Sequence, residues 1–82
     1  MDPERTAALI RQQLIEDLFF GDPGASIAPG DDLFELGLDS LGVTRLVVFI
    51  ERRIGVRIPD SDIVAQNFRT MDALLALVAR RR

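Results

Sequence analysis

The chain has 82 residues, of which 48% are hydrophobic, and a net charge of −3. It contains neither cysteine nor histidine. This length predicts one small domain with a single core, over residues 1–82. The chain lacks a thiolate and the commonest general base, which disfavours an enzyme and metal ligation, and its acidic balance disfavours nucleic-acid binding. The longest apolar run, residues 46–50, is too short for a membrane span, and the N-terminus has no basic signal region, so the cytoplasm is expected.

The first predicted helix begins after Asp2, with Pro3 at its first position, and ends near Phe19. Its apolar residues recur at helical spacing and predict a core-facing stripe: Ala7, Ile10, Leu14 and Leu18.

Residues 20–38 carry four glycines and two prolines without periodicity, which predicts a long loop. Apolar residues are spaced through this segment, so we expect it to pack over the helices. These residues are Ile27, Leu33, Phe34, Leu36 and Leu38.

A candidate modification site lies where the second helix is predicted to start. Ser40 is placed beside helix N–H groups that lack acceptors, at the positive end of the helix dipole, and a phosphodiester on its hydroxyl would be accommodated there. Asp39 could cap these N–H groups or help bind a metal ion carried by a modifying enzyme. Gly37 allows a sharp turn before the site. The alternative is that Asp39 or Ser40 is an ordinary helix cap.

The second helix is predicted from Ser40 to about Ile54, with Gly55 after its last turn. Its core face is predicted to hold Val43, Leu46, Val47, Ile50 and Ile54. The opposite face mixes apolar and cationic residues beside the candidate site, with Phe49 at its edge, and we interpret it as a docking surface: Leu41, Arg45, Val48 and Arg52. The alternative is a scatter of surface apolar residues, with Phe49 under the loop.

Beyond Gly55 the chain is predicted to be extended up to Pro59, and Asp60 or Ser61 then caps a short helix through about Ala65. Within it, Ile63 and Val64 are expected to turn inward or toward a group attached at the candidate site, and for Ile63 the core position is preferred.

Thr70 is predicted to cap the last helix, whose inner stripe holds Met71, Leu74, Leu75 and Val78. The terminal arginines, residues 80–82, are expected to face the helix dipole or to form a solvated tail.

The run from Asp32 to Leu41, with Leu36-Gly37-Leu38-Asp39-Ser40, resembles the phosphopantetheine attachment signature of acyl and peptidyl carrier proteins. The resemblance implies an all-α four-helix bundle with three longer helices, one short helix and a long first loop. It also implies covalent 4'-phosphopantetheine on Ser40, with Asp39 and Leu41 as neighbours in the signature.

The implied partners are a phosphopantetheinyl transferase that uses coenzyme A, an acyl- or aminoacyl-loading enzyme, and a downstream transferase or synthase. The implied function is a discrete monomeric carrier that tethers a thioester-bound intermediate without catalysing a reaction.

Carriers of housekeeping fatty-acid synthesis are similar in plan but strongly acidic along the second helix, where this chain has Arg45, Arg52 and Arg53. We therefore expect a specialised polyketide, nonribosomal peptide or related aminoacyl pathway. Two other classes stay open: an unmodified helical adaptor that binds proteins through the second helix, and a helix-turn-helix DNA binder, which the net charge disfavours.

Overall fold

The computed structural model describes residues 2–82, which form a helical bundle without strands. Helix α1 spans Pro3–Phe19, α2 spans Ser40–Phe49, α3 spans Ala65–Phe68 and α4 spans Met71–Arg81. The predicted all-α architecture is confirmed: three longer helices, one short helix and a long connection between the first two. No helix within residues 2–82 combines the length and the apolar character that a bilayer crossing needs.

Helix α1 begins and ends where the sequence predicts. The Asp2 carboxylate accepts a hydrogen bond of 2.8 Å from the Arg5 backbone N–H, and Pro3 lies in the first turn, where a helix has no use for its missing N–H. Ile10 and Leu14 of the predicted stripe are fully buried, and the other two residues of the stripe are half-buried.

Helix α2 continues through one wider π turn over Ile50–Ile54. Gly55 ends this turn with a φ of 83°, and its N–H donates to the Ile50 carbonyl at 3.0 Å. The predicted extent of the second helix is therefore confirmed, although the π turn was not predicted. All five residues of the predicted inner face lie in or against the core: Val43, Leu46, Val47, Ile50 and Ile54.

The long loop packs over the bundle, as predicted from its apolar residues. Ile27, Leu33 and Leu38 are buried, and Phe34 and Leu36 are half-buried. Backbone hydrogen bonds fix the loop to the C-terminal part of the chain: one of 2.7 Å from residue 33 to the carbonyl of residue 69, and one of 3.2 Å from residue 72 to the carbonyl of residue 29. The loop therefore completes the core from one side.

The predicted short helix has the wrong boundaries. Asp60–Asp62 form only one 3₁₀ turn, Val64 is extended with φ −127° and ψ 152°, and α3 begins at Ala65, where the prediction ended. Ile63 and Val64 are β-branched and favour extended backbone. A side-chain hydrogen bond of 2.9 Å from Asn67 to the Asp62 carbonyl holds this extended connection in place.

Helix α4 has the predicted cap, since the Thr70 hydroxyl accepts a hydrogen bond of 3.0 Å from the Ala73 N–H. Its buried residues are Met71, Leu74, Leu77 and Val78. Leu75, which was predicted for the inner stripe, is only half-buried, and Leu77 is buried instead.

The C-terminal arginines do more than face the helix dipole or extend into solvent. Arg80 donates to the Asn67 side chain, Arg81 forms a salt bridge with Asp62, and Arg82 donates to the buried Thr6 hydroxyl. Arg80 and Arg81 lie in the last turn of α4, as expected for cations that face the helix dipole. All three side chains are exposed, but they contact α1, α3 and the segment that precedes α3.

Candidate functional site

Asp39 and Ser40 have separate positions at the start of α2. Asp39 is the N-cap with extended backbone, and its Oδ1 accepts a hydrogen bond of 2.8 Å from the Gly42 N–H. Ser40 is the first helical residue and is exposed. Of the two interpretations of Asp39, the structure shows the cap. The Ser40 hydroxyl is consequently not needed as the cap of the helix.

Two glycines shape the backbone around this site. Gly37 has a φ of 117°, a conformation that a residue with a side chain rarely adopts, and it lets the chain turn so that Leu38 is buried beneath the helix start. A Cβ atom added to Gly42 would lie 2.8 Å from Cδ1 of Leu38. A larger residue in place of Gly42 would therefore force the end of the Leu38 side chain to shift.

An apolar cleft borders Ser40. It has a volume of about 530 Å³ and lies between the long loop, the start of α2 and the segment that leads into α3. Its lining consists of Phe34, Asp39, Ser40, Val43, Thr44, Ile63, Val64, Ala65 and Phe68.

Ile63 does not belong to the core, so its prediction as a core residue is wrong. Its side chain is 37% exposed and that of Val64 is 45% exposed, and both form one wall of the cleft. The physical reason is the extended connection before α3, which turns these residues toward Ser40 and away from the bundle axis.

Salt bridges hold both sides of the cleft. Arg69 pairs with Asp32 at 3.0 Å and places its guanidinium 5.3 Å from the centre of the Phe34 ring. Partial burial acts to raise the pKa of Asp32, but N–H groups of the loop and the Arg69 guanidinium outweigh it and lower the pKa. On the other side, the hydrogen bond from Arg81 is the main cause that lowers the pKa of Asp62. The cleft walls are thus tied to the loop and to α4.

The predicted docking residues all lie on the outside of α2. Leu41 is 57% exposed and Val48 is 43% exposed, and Arg45 and Arg52 are exposed as well. Phe49 at the edge is half-buried, with the Arg53 guanidinium 5.8 Å from its ring centre. The structure therefore places the four predicted docking residues together on one exposed face.

Several features of the site were missed from the sequence. Thr44 and Ala65 line the cleft, and Arg69 and Arg81 hold its walls. The only sequence signal for the wall was the β-branched pair at 63–64 after a proline, and nothing in the sequence pairs residue 62 with residue 81. Within residues 2–82, no group of three or more acidic side chains is arranged to hold a metal ion.

A four-helix bundle with a long first loop and an exposed serine at the start of its second helix defines the class of small carrier domains. The family model of the phosphopantetheine attachment site matches residues 8–78. The chain belongs to this phosphopantetheine-binding carrier protein family. As a member, it carries 4'-phosphopantetheine covalently on a serine and acts as a carrier, not as an enzyme.

Curated relatives agree with this assignment. The D-alanyl carrier protein of Streptococcus sanguinis is 34% identical over 71 residues, which cover 85% of this chain and 87% of that protein. The D-alanyl carrier protein of Streptococcus thermophilus is 32% identical over the same length.

Solved structures share the fold. An acyl carrier protein from Thermotoga maritima superposes with a TM-score of 0.72 at 26% identity, covering 99% of this chain and 91% of that one. A chain in the crystal structure of the Bradyrhizobium japonicum glycine:[carrier protein] ligase complexed with glycylated carrier protein has a TM-score of 0.70 at 25% identity, covering 93% of this chain and 97% of that one.

Proposed function

We propose that residues 1–82 form a single discrete carrier domain that bears its 4'-phosphopantetheine arm on Ser40 and carries an aminoacyl group. The observation that carries the proposal is the exposed Ser40 hydroxyl, which borders the apolar cleft at the first turn of α2 while Asp39 caps the helix. The terminal thiol of the bound arm supplies the point at which a carboxylic acid is held as a thioester.

The residues around Ser40 fit such a group. The phosphodiester would lie at the positive end of the α2 dipole, next to N–H groups of the first turn. Asp39 keeps the first turn formed, and Leu41 is exposed immediately after the serine. Ile63 and Val64 offer apolar contact to the part of the arm nearest the protein.

The other two serines of the chain, Ser26 and Ser61, do not line the apolar cleft.

The cargo is proposed to be a small amino acid. Its support is the identity of at least 32% with D-alanyl carrier proteins and the similarity to a chain from a complex with glycylated carrier protein. The partners are then a phosphopantetheinyl transferase, an enzyme that activates and loads the amino acid, and a downstream transferase or synthase. Of the specialised pathways expected from the sequence, we therefore propose one that handles aminoacyl groups. The alternative is a pathway of polyketide type, in which the cargo is an acyl group.

The rival interpretation as an unmodified adaptor required Ser40 to be only a cap. Asp39 fills that role, and the serine hydroxyl is left exposed beside the cleft. Because Asp39 already caps the helix, Ser40 is not needed for that purpose. This favours a chemical role for its hydroxyl.

Modification of the purified chain by a phosphopantetheinyl transferase with coenzyme A tests the attachment site. We expect intact mass to show the addition of one phosphopantetheine to the parent protein and none to Ser40→Ala. Ser26→Ala and Ser61→Ala are matched controls that should be modified like the parent. Addition of the arm to Ser40→Ala would show that the site is elsewhere.

The cargo is tested on the modified protein with ATP, the native host's activating enzyme and either D-alanine, glycine or a short-chain fatty acid. We expect a mass increase with one of the amino acids that is lost after treatment with hydroxylamine, which cleaves thioesters. Loading with the fatty acid alone would contradict the aminoacyl proposal and leave the attachment site unaffected.

A further inference from the structure

The outer face of α2 carries an exposed stripe of alternating apolar and cationic residues. Leu41, Arg45, Val48 and Arg52 are separated by four, three and four residues, which places them on one face of a helix. The exposed fractions of Leu41 and Val48 are 57% and 43%, so neither side chain contributes fully to the core. We call these four residues the α2 stripe.

The two arginines of the α2 stripe have no carboxylate partner within residues 2–82, where Asp32 and Asp62 form the salt bridges. The acids closest to them in sequence make other bonds. Asp39 caps the helix at Gly42, and the Glu51 carboxylate accepts a hydrogen bond of 3.0 Å from the Ile58 N–H. Arg45 and Arg52 therefore present positive charge outward, and neither forms a salt bridge within residues 2–82.

The charges of the chain are segregated around this stripe. Residues 1–39 contain nine carboxylates and two arginines, whereas residues 40–58 contain four arginines and one carboxylate. The chain as a whole has a net charge of −3. An acidic surface would attract α2 and repel α1 and the long loop, which would orient the protein with Ser40 and the α2 stripe toward that surface.

From these charges we infer that the enzyme that loads the amino acid receives the α2 stripe on an acidic surface with apolar depressions for Leu41 and Val48. The inference rests on the proposed function. An acidic surface supplies the missing partners of Arg45 and Arg52, while a basic surface would place like charges opposite them. The docking surface of this enzyme is therefore negatively charged, whereas a surface that receives a carrier with an acidic second helix is positively charged.

Helix geometry limits where the acidic groups of the enzyme lie. With an α-helical rise of about 1.5 Å per residue, Arg45 is about 7.5 Å along the axis from Ser40. Arg52 lies in the wider π turn and is at most about 18 Å from Ser40. Carboxylates that meet both arginines therefore flank the opening that receives the arm, within about 20 Å of it. At an ionic strength of about 0.15 M the Debye length is about 8 Å, so each arginine interacts mainly with its own facing carboxylate.

The test is the rate of amino-acid loading on Ser40-modified protein, for the parent and for Arg45→Glu/Arg52→Glu, with the native host's activating enzyme at low and high salt. We expect kcat/KM of the reversed variant to fall at least about tenfold at low salt, with the difference shrinking to about threefold or less near 0.5 M salt. A control, Arg5→Glu/Arg80→Glu, changes the net charge equally on α1 and α4 and should load like the parent. Circular dichroism establishes that both variants are folded.

Three outcomes would overturn the inference. Faster loading of the reversed variant would mean that the enzyme surface is basic, and equal loading would mean that another face docks. An equal loss in the control would assign the effect to net charge and not to the α2 stripe. Failure of the parent to accept the arm at Ser40 would instead contradict the proposed function, and intact mass before the loading assay separates the two failures. Finally, a carboxylate-to-arginine change on the enzyme should restore loading of the reversed variant.

Discussion

Asp39 and Ser40 are adjacent residues with different tasks at the start of α2. The cap is formed by Asp39 through its bond to Gly42, and the exposed Ser40 forms no side-chain hydrogen bond within residues 2–82. The stability of the helix start and the chemistry proposed for the serine are therefore separable.

We predict that Asp39→Ala lowers the free energy of unfolding by about 0.5–2 kcal/mol, because it removes the cap. Ser40→Ala should change it by no more than about 0.5 kcal/mol, as expected for an exposed position without a partner. Urea denaturation of the unmodified proteins measures both changes. A larger loss for the serine variant than for the aspartate variant would show that the serine side chain, not the aspartate, stabilises the helix start.

Phe20, directly after α1, is held in an unfavourable backbone conformation. Its φ is 55°, in the left-handed region, and its side chain is 93% exposed. The left-handed conformation costs a residue with a side chain about 1–2 kcal/mol, and here little burial offsets it. Glycine is the residue that helix ends usually place at such a position.

Phe20→Gly is expected to raise the free energy of unfolding by about 0.5–1 kcal/mol, since the strain it removes exceeds the extra chain entropy of glycine. Phe20→Ala removes the ring but keeps the strain, and should differ from the parent by about 0.5 kcal/mol or less. Thermal and urea denaturation of the two variants separate the effect of the backbone conformation on stability from the effect of the side chain. If the glycine variant is no more stable than the alanine variant, the left-handed backbone conformation of residue 20 does not destabilise the fold.

The long loop is a structural element that closes the core. Leu33 is completely buried and its N–H donates to the Arg69 carbonyl, whereas Phe34 is half-buried between the Arg69 guanidinium and the cleft. We therefore expect Phe34, the larger side chain of the pair, to contribute less to stability than Leu33.

We predict that Leu33→Ala costs about 2–5 kcal/mol of unfolding free energy, while Phe34→Ala costs less than the roughly 3–5 kcal/mol expected for a fully buried ring. The order of the two effects is the test, and urea midpoints measure it. A greater loss for the phenylalanine variant would mean that the ring, and not the leucine, anchors the loop.

The segment that forms the second cleft wall is tied to α4 by the salt bridge between Asp62 and Arg81. The hydrogen bond from Arg81 holds the pKa of Asp62 below its ordinary value. A carboxyl whose pKa is lower in the folded state stabilises the fold above its unfolded pKa of about 4. That contribution is lost as the pH falls through the folded pKa.

Asp62→Asn should therefore lower the thermal midpoint at pH 6–7, and its deficit relative to the parent should shrink when the pH falls below about 4. Asp60→Asn, a change at an exposed acid that forms no salt bridge in residues 2–82, is the control and should show no such dependence. A deficit that stays constant from pH 7 to pH 3 would show that the salt bridge does not stabilise the wall.

For the molecule as a whole, the helices with strong caps and regular apolar spacing were predictable. Asp2 with Pro3, Asp39 before Ser40, and Thr70 act locally, so the sequence around them contains the information that starts each helix. The serine site could be identified for the same reason, because the signature and the helix start occupy one short stretch.

The segment before α3 could not be predicted in the same way. Asp60 and Ser61 have the chemistry of a helix cap, but the path of the chain is set by the salt bridge to the distant Arg81 on α4, together with the hydrogen bond from the nearby Asn67 on α3. The direction of Ile63 follows from that path. A local pattern cannot encode a contact between residues 19 positions apart, so the cleft wall became visible only in three dimensions.

The most direct test of the carrier function is mass spectrometry of the protein purified from its native host, on the intact chain and on the peptide that contains Ser40. We predict one phosphopantetheine on that peptide, with part of the protein carrying an additional amino acid that hydroxylamine removes. Ser40→Ala expressed in the same host should carry neither group. An unmodified parent chain, or an arm attached to any other residue, would contradict the function proposed for this site.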